Sequence, residues 1–259
     1  MSPIAFWNQI DLLRVGSFVA LIAATWILAG WLKARGYVRT GDARKINHAA
    51  VLAGGVVWFN SGDSGMDRVS CHLAVSLLFL LLLIVCRYRD WGVFEYAFQG
   101  YAREADRPHD AFHVWFSWLV SIVGLELVDL AFGSVALTRC AALVLGLADA
   151  VAEPIGSRFG KHRYRVRDIL SDVCRQRSWE GSLAVAVMTS VIVFISFSPQ
   201  WGTDWGFPVF VMASFRLPMA LLAGGFVALV EAWTPHGLDN LTIPLGAAVF
   251  VRGIMGFTV

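Results

Sequence analysis

The sequence predicts an all-α, polytopic membrane protein, a bundle of about eight transmembrane helices. The chain has 259 residues, of which 57% are hydrophobic and only 15% are charged, and its mean hydropathy is +0.62. Soluble domains carry about 25% charged residues. The apolar residues fall in runs near the ~20 residues that a helix needs to cross a bilayer. These runs are continuously apolar rather than alternating, which favours helices over a membrane β-barrel.

Eight apolar runs predict the helices, in the order 15–32, 46–60, 69–86, 112–128, 131–153, 182–198, 212–232 and 241–257. The first follows a segment without a basic n-region and precedes no convincing cleavage site, so we expect a retained helix rather than a signal peptide. The second is short and contains Gly54 and Gly55, so we expect it to be tilted or enclosed by its neighbours. If it does not cross, seven spans remain. The seventh could begin earlier, because an apolar stretch precedes Arg216.

Polar residues predict where several of these helices start or stop. Asp110 is expected to cap the fourth helix. This interpretation is favoured over a metal site at His109 and His113, because no further ligand set is evident. Pro154 removes a backbone donor, so the fifth helix is expected to kink or end there. Ser178 is a candidate N-cap of the sixth helix.

The lysines and arginines predict the orientation of the chain. Sixteen of the 21 fall in the segments 33–45, 87–111 and 154–181, which alternate with poorly basic ones. By the positive-inside rule, we expect these segments to be cytoplasmic and both termini to lie outside. We expect the membrane to be the cell (inner) membrane. The segment 233–240 falls on the same side. Because no linker or internal repeat is evident, residues 1–259 are expected to form one domain, with these four loops on its functional face.

The cytoplasmic end of the fifth helix carries a polar motif. Asp149, Glu153, Gly156 and Gly160 recur at steps of four, three and four residues, so they share one helix face. The two carboxylates repel each other, and an unpaired ion near hydrocarbon costs ~2.5–3.5 kcal/mol. A divalent cation or a facing arginine is therefore expected to neutralise them. The glycines admit a ligand or another backbone, and an ion-paired helix end with glycines for helix packing is the alternative.

A second acidic corner lies between the last two helices. Glu231, Asp239 and Asn240 flank a tight turn that contains Pro235 and Gly237 and no lysine or arginine. The predicted topology puts this turn on the same side as Asp149. The alternative is turn chemistry, with Asp239 or Asn240 capping the last helix.

Cationic and helix-capping residues open two other helices. Arg44, Lys45 and His48 open the second, where an interfacial anchor is the alternative to phosphate binding; His48 lies one turn deeper and fits an anchor less well. The sixth helix opens with two arginines, an N-cap and uncovered backbone donors, a combination that suits an anion as well as an anchored helix end. Its residues are Arg175, Arg177, Ser178, Glu180, Gly181 and Ser182.

Together these motifs resemble the CTP-dependent lipid-alcohol kinases, the family of phytol kinase and dolichol kinase. The family has Arg-Lys…His near the second helix, then G-D-x-x-A-D-x-x-G…G-K, then K-S-x-E-G-S, then an acidic residue followed by D-N-x-x-x-P. The chain matches this order over residues 44–244. It departs at Ala148, Glu153 and Arg177, where the family has Gly, Asp and Lys. Arginine keeps the charge of lysine but not its geometry.

The resemblance implies transfer of a phosphoryl group from CTP to a long-chain, isoprenoid or other lipid alcohol, with Mg²⁺ as cofactor. It implies catalytic roles for Asp149, Glu153 and His48. It implies metal binding by Asp149, Glu153, Glu231, Asp239 and Asn240. The implied nucleotide contacts are Arg44, Lys45, Gly156, Gly160, Lys161, Arg175, Arg177, Ser178, Glu180, Gly181 and Ser182. The expected partners are CTP, membrane lipids and an alcohol that enters from the bilayer, with no nucleic acid.

Two other functions remain open from the residues. A CTP:phosphatidate cytidylyltransferase-like enzyme would also combine CTP, Mg²⁺ and a membrane lipid. A transporter would place acids near the middle of the bilayer and repeat its broken helices. Transport is disfavoured, because the acids gather at one predicted edge and no repeat is visible.

Overall fold

The computed structural model describes residues 12–58, 92–102, 106–169, 174–197 and 213–256, together with positions 81 and 85. In chain order these residues form helices α1 Leu12–Ala34, α2 Thr40–Trp58, α3 Val93–Gln99, α4 Asp110–Phe132, α5 Val135–Leu143 and α6 Asp149–Phe159, strands β1 Arg163–Val166 and β2 Arg175–Ser178, and helices α7 Trp179–Ser196, α8 Ala213–Trp233 and α9 Asp239–Gly256. A π-helical turn, Val144–Ala148, joins α5 to α6. The chain divides into two compact units, Met1–Ile122 and Val123–Val259.

Helices dominate the described residues, and several suit a membrane. Five are long and apolar enough to cross one: Gly16–Ala34, Asp110–Phe132, Val135–Phe159, Trp179–Ser196 and Phe215–Trp233. The predicted membrane helix bundle is confirmed to this extent. α2 and α9 coincide with the second and eighth predicted spans but are not among the five. The predicted span 69–86 lies outside the described residues apart from positions 81 and 85, so the total of eight or seven stays a prediction.

Two local expectations are corrected. The fifth predicted helix does not end at Pro154, because α6 continues through it to Phe159. The helix is irregular earlier, at the π-helical turn that immediately precedes Asp149. The segment 154–181 was expected to be a loop, yet it contains the end of α6 and an antiparallel hairpin of β1 and β2. The helix start expected near Asp110 is confirmed, and the Asp110 carboxylate accepts the Ala111 amide at 3.0 Å. The capping role of Asp110 stays a prediction.

The first unit has an aromatic core. The Trp26 ring of α1 makes near-perpendicular contacts with Tyr101 and Trp118, at centroid distances of 5.1 and 5.7 Å. Edge-to-face pairs of this kind are favourable because ring edges and faces carry opposite partial charges. Phe18 and Ile22 precede Trp26 at steps of four residues and lie in the same core, so one face of α1 supplies it.

In the second unit, α7 and α8 pack antiparallel through small residues. A Cβ atom added at Gly224 of α8 would collide with the Ala186 carbonyl and the Ser190 hydroxyl of α7. Farther along the pair, Ser182 of α7 contacts Glu231 of α8. Small residues let helix backbones approach closely within a membrane. This packing places the start of α7 beside the end of α8, where the polar residues of both helices meet.

Candidate functional site

The pairing of β1 with β2 determines in which direction the arginine side chains of β2 point. Tyr164 opposes Arg177, and Val166 opposes Arg175. Directly opposed residues share one face of a sheet, and successive residues alternate between faces. Val166 is buried, and Tyr164, Arg175 and Arg177 are half-buried, whereas Arg165 on the other face is exposed. The two arginines of β2 therefore point inward.

Arg177 lies at the centre of the site. Its Nε is 3.2 Å from Glu231 Oε1, and its Nη2 donates to Asp239 Oδ2 at 3.1 Å. Its Nη1 donates to the main-chain carbonyls of Glu231 and Thr234. The side chains of Arg177, Glu231 and Asp239 are 12, 10 and 15% exposed. One guanidinium thus joins β2 to the end of α8 and the start of α9, and it neutralises two largely buried acids.

Both carboxylate oxygens of Glu231 are engaged. Oε1 faces Arg177, and Oε2 accepts a hydrogen bond from the Ser182 hydroxyl at 2.9 Å. The Tyr164 hydroxyl lies 2.7 Å from Ser182 Oγ. Asp149 and Asp239 are both near enough to Glu231 to interact with it electrostatically. Acids predicted from two separate motifs therefore gather in one place, called here the acidic corner (Asp149, Glu231 and Asp239).

The two remaining predicted metal ligands, Glu153 and Asn240, are close in sequence to Asp149 and Asp239 of the acidic corner. Asp149 is buried at the first position of α6, directly after the π-helical turn, and such turns are frequent at functional sites. Glu153 is half-buried one turn later. Asn240 is buried, and its backbone amide donates to Asp239 Oδ1 at 3.1 Å.

The glycines of the two motifs pack against each other. A Cβ atom at Gly156 would lie 2.8 Å from Ser178 Oγ, one at Gly160 would lie 2.7 Å from Ser178 Cβ, and one at Gly181 would lie 3.0 Å from the Ala152 carbonyl. Side chains here would force α6 away from the start of α7. Ser178 Oγ accepts the Gly181 amide at 3.1 Å, which confirms the predicted N-cap. The packing interpretation of the glycines is also confirmed, and their contact with a nucleotide stays a prediction.

Glu180 orders the loop that follows α6. Its carboxylate accepts the backbone amides of Lys161 at 3.0 Å and His162 at 3.2 Å, and it also contacts His162 Nδ1 at 2.9 Å. The Lys161 side chain is exposed. The loop is thus held to the start of α7 while the Lys161 ammonium remains accessible.

The turn between α8 and α9 is attached to the hairpin. The His236 amide donates to the Arg167 carbonyl at 2.7 Å, and the Ile169 amide donates to the His236 carbonyl at 3.3 Å. Arg175 Nε donates to Asp168 Oδ2 at 2.8 Å, where the Asp168 side chain is 3% exposed. These bonds hold β1, β2 and the turn together, so Arg177 reaches the acids of the turn from an ordered strand.

The cationic motif of the second helix lies in the first unit. Arg44, Lys45 and His48 all belong to α2. Lys45 is buried, and Arg44 and His48 are half-buried. Their predicted contact with the nucleotide stays a prediction.

The acidic corner offers the oxygen ligands that the expected cofactor, Mg²⁺, prefers. Among the described residues, no group of three or more His, Cys, Asp or Glu is placed to hold a metal ion by itself. Magnesium prefers oxygen ligands and is usually bound by one or two carboxylates together with substrate phosphates. The buried carboxylates of Asp149 and Glu231 provide that chemistry. The donor set is therefore compatible with Mg²⁺ that further ligands complete, and it is too small for an ion bound by the described residues alone.

Sequence reasoning missed the residues that connect the motifs. Tyr164, Asp168 and Thr234 all contact predicted site residues and were not singled out. The alternation of residues in "RYRV" and "RQRS" was the available signal, because a period of two is typical of strands. With that signal, Tyr164 and Val166 would have been placed together on one face of a strand.

Comparison with known proteins agrees with the resemblance to a lipid-alcohol kinase family. Part of the chain is 33% identical, over 109 residues, to phytol kinase of Synechocystis sp.. This confirms the predicted resemblance to the phytol kinase-like family. The similar segment is 41% of this chain, and the chain spans about 40% of the length of that phytol kinase. No family model matches the chain, and no solved structure matches it.

Proposed function

We propose that this protein is a membrane-embedded kinase that transfers a phosphoryl group from CTP to the hydroxyl of a long-chain, isoprenoid-type alcohol. The observation that carries the proposal is the meeting of β2, the end of α8 and the start of α9 at Arg177, with Asp149 within electrostatic reach of Glu231. Similarity to phytol kinase supports the same reaction class. Phytol is therefore the first acceptor to test.

Phosphoryl transfer depends mainly on positioning and on stabilising charge. Asp149 is proposed to orient the attacking hydroxyl or to bind the metal, because it is buried at the start of α6 beside the other acids. Lys161 is proposed to contact the phosphates of CTP from the loop that Glu180 orders. Mg²⁺, held between the acidic corner and the nucleotide, would neutralise charge on the transferred group.

A lipid acceptor is supported by the helices that build the site. Glu231 of the acidic corner lies near the end of α8 and contacts Ser182 at the start of α7, and both helices are apolar enough to cross a membrane. Both also expose large hydrophobic side chains, among them Leu183, Val187, Phe194, Leu222 and Leu229. A hydrocarbon tail can therefore lie along these helices while its hydroxyl reaches their polar ends.

The decisive experiment labels CTP at one phosphate at a time. Purified protein in lipid nanodiscs is incubated with phytol, Mg²⁺ and CTP carrying the label at either the α or the γ phosphate. We expect the γ label, and not the α label, in the lipid. The α label in the lipid would instead support a cytidylyltransferase, and no transfer of either label to any long-chain alcohol would contradict the proposal.

A matched pair of variants ties the activity to the site. Asp149→Asn should lower phosphate transfer at least hundredfold, in the range expected for loss of a positioned acid–base or charge-stabilising group. Asp129→Asn is the control and should keep its activity, because Asp129 is not part of the acidic corner. It lies on α4 and accepts a hydrogen bond from Thr138 at 3.0 Å. Both variants should remain folded by thermal unfolding. A folded Asp149→Asn variant that keeps most of its activity would rule out the assigned role.

A further inference from the structure

The hydroxyl of Tyr164 takes part in the site, although no motif assigned it. Ser182 donates to Glu231 Oε2, and a hydroxyl carries one hydrogen. Tyr164 must therefore be the donor in its 2.7 Å hydrogen bond with Ser182 Oγ. The pKa of Tyr164 is raised above its ordinary value, mainly because the side chain is partly buried. The phenol hydroxyl therefore keeps its proton at neutral pH.

The strand partner of Tyr164 holds the other side of the same carboxylate. Tyr164 is paired with Arg177 across the hairpin, and Arg177 Nε is 3.2 Å from Glu231 Oε1. The cross-strand pair of Arg177 and Tyr164 thus acts on both carboxylate oxygens of Glu231. The Arg177 guanidinium contacts Oε1 directly, and the Tyr164 hydroxyl acts on Oε2 through the Ser182 hydroxyl. As whole residues, Ser182 and Glu231 are only 5 and 7% exposed, so water replaces a lost bond poorly at this position.

We propose that Tyr164 is a positioning residue that fixes the direction of the Glu231 carboxylate through Ser182. Without the phenol hydroxyl, the Ser182 hydroxyl loses its donor and can turn away from Glu231. The carboxylate is then held on one side only, by Arg177. The consequence for catalysis rests on the proposed function, in which Glu231 belongs to the acids around the reacting phosphate, and catalysis falls steeply when such groups are misplaced.

Thermal unfolding tests the positioning without any activity. Tyr164→Phe and Glu231→Gln are measured singly and together in nanodiscs. Residues in one hydrogen-bond network show non-additive effects, whereas unconnected residues show additive ones. We expect Tyr164→Phe to lower the Tm by a few degrees in the wild-type protein and by less than half of that shift beside Glu231→Gln. Equal shifts in the two backgrounds would overturn the connection.

Kinase kinetics test the catalytic consequence. We expect Tyr164→Phe to lower kcat about tenfold per folded molecule, a change of about 1.4 kcal/mol, while the KM for CTP stays unchanged. Tyr37→Phe is the control, because Tyr37 is 70% exposed on a different loop and should keep the wild-type kcat. An unchanged kcat in Tyr164→Phe would overturn the catalytic part. A wild-type protein that transfers no phosphate would contradict the proposed function instead, and the unfolding cycle would still decide the positioning.

Discussion

Replacing Arg177 by alanine tests how the acidic corner is held together. The variant leaves Glu231 and Asp239 without the guanidinium that contacts both, and their side chains are only 10 and 15% exposed. Removing one partner of a buried ion pair costs about 3–5 kcal/mol, because the remaining charge is left uncompensated. At ~2–4 °C per kcal/mol for a chain of this size, the Tm should fall by roughly 6–20 °C.

The assay is thermal unfolding of purified protein in detergent, followed by tryptophan fluorescence. Arg165→Ala is the matched control, because Arg165 is exposed on the outer face of the same hairpin, and surface substitutions usually change stability by less than about 0.5 kcal/mol. A triple variant, Arg177→Met with Glu231→Gln and Asp239→Asn, removes all three charges and should recover part of the loss. Equal Tm values for Arg177→Ala and Arg165→Ala would refute the reasoning.

The same position separates stability from nucleotide binding. If Arg177 also contacts phosphate, its loss should weaken CTP binding by ~1.5–3 kcal/mol, or roughly tenfold to over a hundredfold, in calorimetry on folded protein. Arg177→Lys restores the residue typical of the related kinases and keeps the charge. A single ammonium cannot match the fork that reaches Glu231, Thr234 and Asp239, so we expect part of the stability to be lost while CTP binding is kept. Unchanged CTP affinity in Arg177→Ala would exclude the phosphate contact.

Three other predictions follow from single features. Cys174 is an exposed cysteine in the predicted cytoplasmic segment 154–181. A membrane-impermeant thiol reagent should therefore label it in inside-out vesicles but not in intact cells, with Cys174→Ser as control. Labelling of Cys174 in intact cells would overturn the topology. Gly156→Ala should destabilise by about 1–3 kcal/mol, because its Cβ meets Ser178 Oγ at 2.8 Å, whereas Gly225→Ala, with open space around it, should not destabilise. Ser178→Ala should cost about 1 kcal/mol through loss of the N-cap, and a Tm equal to that of the wild type would contradict the capping role.

Hydropathy predicted the helices well because a membrane-length helix depends on its own residues. The sixth predicted span, 182–198, is observed as α7 at Trp179–Ser196, and the seventh, 212–232, as α8 at Ala213–Trp233. For the fifth helix, Pro154 is expected to cause either a kink or an end, and the predicted end is wrong. A proline in a helix removes one backbone hydrogen bond, and here the helix continues through it to Phe159, while α6 packs against α7 through Gly156 and Gly181.

The pairing of β1 with β2 is harder to predict from the sequence than the helices are. Each strand has four residues, and such short strands are stabilised by pairing rather than by intrinsic preference. The sequence analysis grouped the acids and cations into motifs on one predicted side of the membrane. It did not reveal that Arg177 contacts Glu231 and Asp239, because partners so far apart in the chain are set by tertiary packing.

The alternating faces of the hairpin make it more sensitive to insertions and deletions than to many substitutions. Arg163 and Arg165 are exposed, whereas Arg175 and Arg177 point inward. A lysine or glutamine at an outer position leaves the inner contacts intact. Deleting one residue of β2 shifts the side chains on one side of the deletion to the opposite face of the strand, which would turn Arg177 away from Glu231 while changing the composition very little. Length is therefore constrained more strictly than identity in the outer half of this hairpin.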